Sequence, residues 1–245
     1  MTVRPVVPGL YEIRLGVVNA FLLESDDGLT LVDTGVPGSD GAILKAVRSI
    51  GRQPGDVREI LVTHCHPDHA GGLAALKRQT GATASMHPVD AAMVREGKAL
   101  RPLSPAPGLL NAIIFRLLVR SGASVVEPAE VEREVADGEE LPVAGGLRAV
   151  HVPGHCAGQL AFLWPRHGGV LLAADAAANV FGLDLSPGYE DLEVGRRSLT
   201  KLAELDFEVA CFGHGRTIHS GASRRFRRKW ARKGRSVSPA AGKIS

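Results

Sequence analysis

Apolar and polar positions alternate through Leu10-Tyr11-Glu12-Ile13-Arg14-Leu15 with the period of two that predicts a strand. Val17 to Leu23 reads as its apolar neighbour, and Asp26-Asp27-Gly28 is a hairpin turn signal ahead of a further strand, Leu29 to Val32. The period then changes to that of a helix over 39–50, with Ser39 at the N-cap position and Ile43, Leu44 and Val47 on one face. Strands are predicted at 59–63 and 82–86, and helices at 70–79 and from His87-Pro88 to about Glu96. Further on, strands at 147–152, 160–164, 170–173 and 209–212 accompany a helix over 189–205, striped by Leu192, Leu199 and Leu202. This order predicts an α/β chain.

Two stretches break the rhythm. Pro102, Pro105 and Pro107 interrupt regular structure, and Gly108 to Arg120 follows as an apolar helix of roughly three turns, too short to span a bilayer. Within it, Leu109–Val119 reads either as a core or dimer-interface helix or as a lid forming an apolar wall over a site. Glu127 to Glu140 is acidic and reads as a solvated face. Near the end, Ala222 to Lys233 is a basic helix candidate with Phe226 and Trp230 four apart on one face, and Ser236 to Ser245 is expected to fray. The expected organisation is one domain over 1–219 with a helical insertion near 98–134, then a basic helix and tail over 220–245.

Composition changes the picture in three ways. A hydrophobic content of 44% in 245 residues supplies a sizeable core. Three cysteines, an odd number, argue against a closed disulfide framework, and no signal-peptide pattern or apolar run of membrane-spanning length is present. Cytoplasmic localisation is therefore the expectation. The net charge of +3 conceals an asymmetry, because 220–245 holds nine Lys or Arg and no acid, leaving the rest at −6. Basicity thus belongs to the tail, which weakens a nucleic-acid reading and leaves a solvated helix packed through Phe226 and Trp230 as the preferred one.

The chemistry is concentrated in Thr63-His64-Cys65-His66-Pro67-Asp68-His69-Ala70-Gly71-Gly72. Imidazole and carboxylate are the usual ligands of zinc and similar metals. Three histidines and one aspartate at these offsets should arise by chance in roughly one such chain in a thousand. Cys65, between two of the histidines, is expected to point the opposite way and pack in the interior.

His64-x-His66-x-Asp68-His69 resembles the signature of the metallo-β-lactamase-fold superfamily of metallohydrolases. Later segments match in order: Asp33-Thr34-Gly35, Pro153-Gly154-His155-Cys156-Ala157-Gly158 with Cys156 where Thr is commoner, Ala174-Asp175 where Gly-Asp is usual, and Gly213-His214-Gly215. The resemblance implies a four-layer αββα sandwich of two mixed β-sheets flanked by helices, with metals at one sheet edge. It also implies that His64, His66 and His155 hold one metal and Asp68, His69 and His214 a second. Asp175 would bridge them, with Asp33 supporting the ligand loop from behind. Two divalent ions, zinc by default with iron or manganese as alternatives, would share a hydroxide whose pKa falls to about 7. Asp68 would orient that nucleophile and shuttle a proton.

The specialised relatives fit less well. Position 66 is His rather than the Glu of flavo-diiron oxygen reductases, and the bridging Asp175 is one that true β-lactamases of this fold generally lack. No Tyr stands where glyoxalase II or the quorum-quenching lactonases carry one. The expectation is a dinuclear metal-dependent hydrolase of a small-molecule ester, lactone or thioester. The alternatives are a mononuclear non-haem iron sulfur dioxygenase, and a phosphodiesterase or nucleic-acid-binding member suggested by Arg224-Arg225 and Arg227-Arg228-Lys229.

Overall fold

In the computed structural model, which describes residues 2–119 and 125–231, the alternating segments pair into two sheets. Strands β1 (Thr2–Val7), β2 (Leu10–Leu15), β3 (Val18–Ser25) and β4 (Gly28–Val32) form an antiparallel meander. Helix α1 (Asp40–Ser49) leads to β5 (Val57–Leu61), and α2 (Pro67–Ala70) and α3 (Leu73–Thr80) lead to β6 (Thr83–Met86). Next come α4 (Pro88–Arg95), β7 (Ser104–Pro105), α5 (Leu109–Ile114) and β8 (Arg133–Glu134). Strands β5, β6 and β8 extend the meander in parallel, giving a mixed seven-stranded sheet ordered β1-β2-β3-β4-β5-β6-β8.

The second half contains β9 (Glu140–Leu141), β10 (Leu147–His151), β11 (Leu160–Trp164) and β12 (Val170–Leu172). It continues through β13 (Gly188–Tyr189), α6 (Leu192–Ala203), β14 (Val209–Cys211) and α7 (Ala222–Trp230). A mixed five-stranded sheet results, ordered β14-β12-β11-β10-β9, while β13 pairs with β7 as a separate ribbon.

Strand periodicity explains the layering. In β3, Ala20 and Leu22 face a core shared with Ile43 and Val47 of α1 and Leu73 and Leu76 of α3. Phe21 and Leu23, on the other face, meet Phe162 and Trp164 of β11 and Val170 and Leu172 of β12, which builds the core between the sheets. Ala161, Leu171 and Ala210 face the opposite way and pack on Leu199 and Leu202 of α6 and Phe226 of α7. The layers therefore run helix, sheet, sheet, helix. Among the described residues no helix is long and apolar enough to cross a membrane.

Several boundaries differ from the periodicity. The helix expected over 70–79 is broken at Gly71-Gly72, because Thr34 packs there: Thr34 Oγ1 donates to the His69 carbonyl at 2.7 Å and accepts from Gly72 N–H at 3.2 Å. A Cβ on Gly72 would lie 2.4 Å from the Thr34 carbonyl oxygen, so only glycine admits this approach. The helix expected from Tyr189 starts at Leu192, since Asp191 caps it through Val194 N–H at 2.9 Å and Tyr189 lies in β13. Ser39 stands before α1 in helical conformation and makes no side-chain cap. The acidic stretch 127–140 is not wholly a solvated face, as Val131 and Val135 are buried on either side of β8.

The apolar helix runs over Leu109–Val119 as expected, but its winding widens after α5, over Phe115–Val119. Leu109, Leu110, Ile113 and Leu117 are exposed, Leu109 by 80%, so the core-helix reading is overturned. Residues 120–124 and the frayed end expected over 236–245 lie outside the described residues.

Helix α7 docks through Phe226, which is fully buried against Phe207, Phe212 and Trp230. Phe226→Ala is expected to lower unfolding stability by about 3 kcal/mol or more, read from chemical denaturation, and a loss below about 1 kcal/mol would contradict this docking.

Candidate metal centre

Parallel pairing aligns the strand ends that carry the chemistry. Val32 of β4 is in register with Leu61 of β5, so Asp33 and the loop from Val62 to His69 leave the first sheet side by side. Leu172 of β12 is in register with Cys211 of β14, and Asp175 and His214 each follow three residues later. The loop between β10 and β11 adds His155, and Leu160 N–H donates to the Thr63 carbonyl at 2.8 Å, tying the two sheet edges together.

The structure brings all seven side chains singled out as ligands to this edge, in two groups. His64 Nε2 and His155 Nε2 lie 3.1 and 3.0 Å from His66 Nδ1. Asp68 Oδ2 lies 3.2 Å from His214 Nε2 and 3.7 Å from His69 Nε2. Asp175 stands between the groups, with Oδ2 3.6 Å from His155 Nε2 and 3.2 Å from His214 Nε2, and Oδ1 3.6 Å from His69 Nε2. A Cβ on Gly213 would fall 2.2 Å from Asp175 Oδ1, so this position must stay glycine for the carboxylate to sit there.

The outward ring nitrogens are occupied, which selects the tautomer. His155 Nδ1–H donates to the Gly188 carbonyl at 2.7 Å and His214 Nδ1–H to the Val17 carbonyl at 2.8 Å. His69 Nδ1–H donates to Asp33 Oδ2 at 2.8 Å. Thr63 Oγ1–H donates to the same oxygen at 3.0 Å and accepts from His64 Nδ1–H at 2.9 Å. Asp33 therefore orients one ring of each group, as carboxylates behind ligand histidines do. Its backbone is left-handed at φ 64°, an uncommon conformation for a non-glycine residue, and Thr63 N–H holds its other oxygen at 2.8 Å.

Ring nitrogens and carboxylate oxygens thus converge on one another. His69 Nε2 and Asp175 Oδ1 are buried and have no hydrogen-bond partner. Nitrogen and oxygen atoms left without partners in a dry cluster of this composition fit divalent cations. His66 Nε2 is also buried without a partner, and nothing in the structure accounts for it.

Electrostatics separates the two groups. Burial, reinforced by the neighbouring imidazoles, holds His64 well below its ordinary value and His66 at about 3, and burial also lowers His155. For His69 burial acts downward, but Asp68, Asp33 and Asp175 outweigh it and raise the ring to about 9. His214 is likewise driven up against its burial, by Asp175 and Asp68. Both carboxylates resist the upward push of burial and lie below the usual range, Asp68 through His69 and His214 and Asp175 through His214 and His69.

Other residues at the site escaped the sequence reading. Buried Asn19 anchors the β14 turn, its Nδ2–H₂ donating to the Phe212 and Gly215 carbonyls at 3.0 Å each. Behind the first histidine group, Asp90 of α4 is fully buried against Cys65, Cys156 and Arg101. Neither position carries a local motif, since each acts on chain far away in sequence. Cys65 is buried, with its Sγ 3.6 Å from Cys156 Sγ.

A four-layer sandwich with a histidine–aspartate cluster at one sheet edge defines the metallo-hydrolase class of α/β fold. The family model of the metallo-beta-lactamase superfamily matches residues 13–214, and the chain belongs to that superfamily. It is 27% identical over 219 residues to the uncharacterized protein YobT of Bacillus subtilis, covering 84% of this chain and 87% of that one. It is also 27% identical over 208 residues to the thioesterase pkgB of Emericella nidulans, covering 84% of this chain and 48% of that protein. Among solved structures, a beta-lactamase from Chitinophaga pinensis superposes with a TM-score of 0.67 at 27% identity, covering 87% of this chain and 78% of that one.

The shifts fix a sign for the pH dependence of chelator-stripped protein. His64, His66 and His155, lowered on folding, cost stability as pH falls below 6.5. His69 and His214, raised, contribute stability that is complete below 6.5 and lost as pH rises, for His69 through about 9. Asp68 and Asp175, lowered, add further acid lability as they protonate. Thermal melts across the pH range should show a Tm maximum near 6.5 with a fall on both sides, and a flat profile would contradict the assignment.

Proposed function

We propose that this protein is a dinuclear metal-dependent hydrolase of a small ester, lactone or thioester. The observation that carries the reading is Asp175, whose two oxygens lie between the two donor groups while His69 Nε2 beside it lacks a partner. His64, His66 and His155 would hold one metal, and Asp68, His69 and His214 the other, with Asp175 shared. Zinc is the first choice for such imidazole and carboxylate donors, with iron and manganese compatible. When bound, the two ions supply Lewis acidity and water acidified towards neutral pH.

The chain's own groups do the rest. Asp68 is the most open of the cluster, its side chain one-third exposed, and its carboxylate is held ionised. It is placed to accept a hydrogen bond from an incoming water and turn it towards the substrate carbonyl. Asp33 keeps the imidazole tautomers that aim Nε2 inward on His64 and His69.

Substrate preference follows from the apolar side chains beside the cluster. Val17, whose carbonyl holds His214, is 70% exposed, and Phe181, two residues beyond the Asn179 that is bonded to His214, is 78% exposed. The Phe115 ring, following α5, lies against Gly188, the acceptor for His155, and would form one wall. An apolar acyl group suits this mouth, and the likeness to a thioesterase supports an acyl carbonyl. The catalytic unit would be 1–219, with 220–245 a basic appendage. Three buried free cysteines fit work in the reducing cytoplasm.

Metal analysis should return two equivalents per chain, and Asp68→Ala or Asp175→Ala should cut kcat/KM more than about a hundredfold. Full activity after thorough metal stripping would overturn the reading, and one iron per chain with sulfite formation from a persulfide would replace it with the dioxygenase.

Across a homologous series of acyl esters or thioesters, kcat/KM should rise with chain length, up to about fourfold per methylene at roughly 0.8 kcal/mol of burial each. Phe181→Ser should reduce the ratio of long-chain to short-chain rates. A flat series together with a dimer in solution would assign the exposed leucines of α5 to a subunit interface instead.

A further inference from the structure

A fully buried carboxylate is costly unless hydrogen bonds and an opposite charge compensate it. Asp90 has both, and its partners stand beside the candidate ligands. Asp90 Oδ2 accepts from the backbone N–H of Cys65, between His64 and His66, at 3.2 Å. The same oxygen lies 3.0 Å from Cys156 Sγ, next to His155, and Asp90 Oδ1 accepts from Gly158 N–H at 3.1 Å. Arg101 supplies the charge, its guanidinium 2.8 Å from Asp90 Oδ1 and 3.2 Å from Glu190 Oε1. Glu190 Oε2 then accepts from Ala157 N–H at 3.0 Å, so three consecutive residues after His155 are pinned. The loop comes so near that a Cβ on Gly158 would meet Asp90 Cγ at 2.5 Å.

We infer that Asp90, paired with Arg101 and assisted by Glu190, is the positioning residue for the His64–His66–His155 group, holding two loops from different sheets at one separation. The inference rests on the proposed metal reading and deepens it. Asp33 works on ring nitrogens, whereas Asp90 works on the backbone that carries the rings. Its reach ends at the first group, because Asp68, His69, Asp175 and His214 have no bond to it among the described contacts. Cys156 takes part as a donor. Its Sγ stands 3.0 Å from a carboxylate oxygen, to which only an S–H can donate. A threonine hydroxyl at that position could donate in the same way, and a valine could not.

The test compares Asp90→Asn, Cys156→Val and Cys156→Thr with His66→Ala and His214→Ala as references for losing the first or second group. Metal affinities are read by chelator competition, with thermal melts alongside. Asp90→Asn and Cys156→Val should weaken the equivalent lost in His66→Ala by about ten- to a hundredfold and leave the one lost in His214→Ala within about twofold. kcat should fall with KM little changed, and Cys156→Thr should restore both affinity and kcat. Equal weakening of both equivalents, or of neither, overturns the inference, as does a Cys156→Thr variant no better than Cys156→Val.

If Asp90→Asn does not fold, Glu190→Gln gives the same readout, and unchanged affinity for both equivalents there is equally decisive. If the wild-type protein binds no metal, the proposed function fails. The positioning role is then read from hydrogen exchange, which Cys156→Val should accelerate at the amides of Cys65 and Gly158. Unchanged exchange there overturns it.

Discussion

Everything at the site depends on the Asp33 carboxylate reaching two histidines that would belong to different metals. One oxygen takes the His69 ring and the Thr63 hydroxyl, and through Thr63 it also sets His64. This requires a left-handed residue at the end of β4, a strained choice tolerated because Thr63 N–H and Leu61 O fix the backbone and side chain around it. With those rings locked, the Nε2 atoms of His64 and His69 are aimed inward before any cation arrives. Preorganisation of this kind lets a metal bind without reordering its ligands.

The second dependence is mechanical. The first sheet supplies the His64–His69 loop, and the second supplies Asp175 and His214, so ligand spacing is a property of how the sheets sit together. Polar tethers cross that boundary, among them the His214 ring on the Val17 carbonyl. Leu160 N–H meets Thr63 O, Asn19 holds the β14 turn, and the Asp90–Arg101–Glu190 cluster joins the loops beside His64, His66 and His155. The interior between the sheets is apolar and non-directional, so these tethers are what set a separation at the scale of a hydrogen bond.

Legibility tracked how local each signal was. The strands Leu10–Leu15 and Leu160–Trp164 were read correctly because their alternation, or their apolar run between turn signals, is written in adjacent residues. His64, His66, Asp68 and His69 were legible because metal chemistry restricts residue types at close spacing, whereas His155, Asp175 and His214 stood out only through the family resemblance. The break at Gly71-Gly72 was not, since its cause is Thr34, far upstream. Leu109 to Leu117 misled the core-helix reading because an apolar run does not declare whether it faces the interior or the surface. Ala174, a small departure in sequence, has a structural sense. It is left-handed at φ 49°, the conformation that glycine adopts without strain.

By itself the sequence determined the residue types, their order, and the strand and helix periods of an α/β chain, while the αββα layering and the metal edge came from the family resemblance. Tertiary structure alone decided which donors face one another, which ring nitrogens are free, and which buried carboxylate stands behind each loop. The physical reason is range. Periodicity and ligand chemistry act between neighbours in the chain, whereas the bonds of Asn19 to Gly215 and of Asp90 to Gly158 join residues 196 and 68 positions apart and exist only once the two sheets have packed.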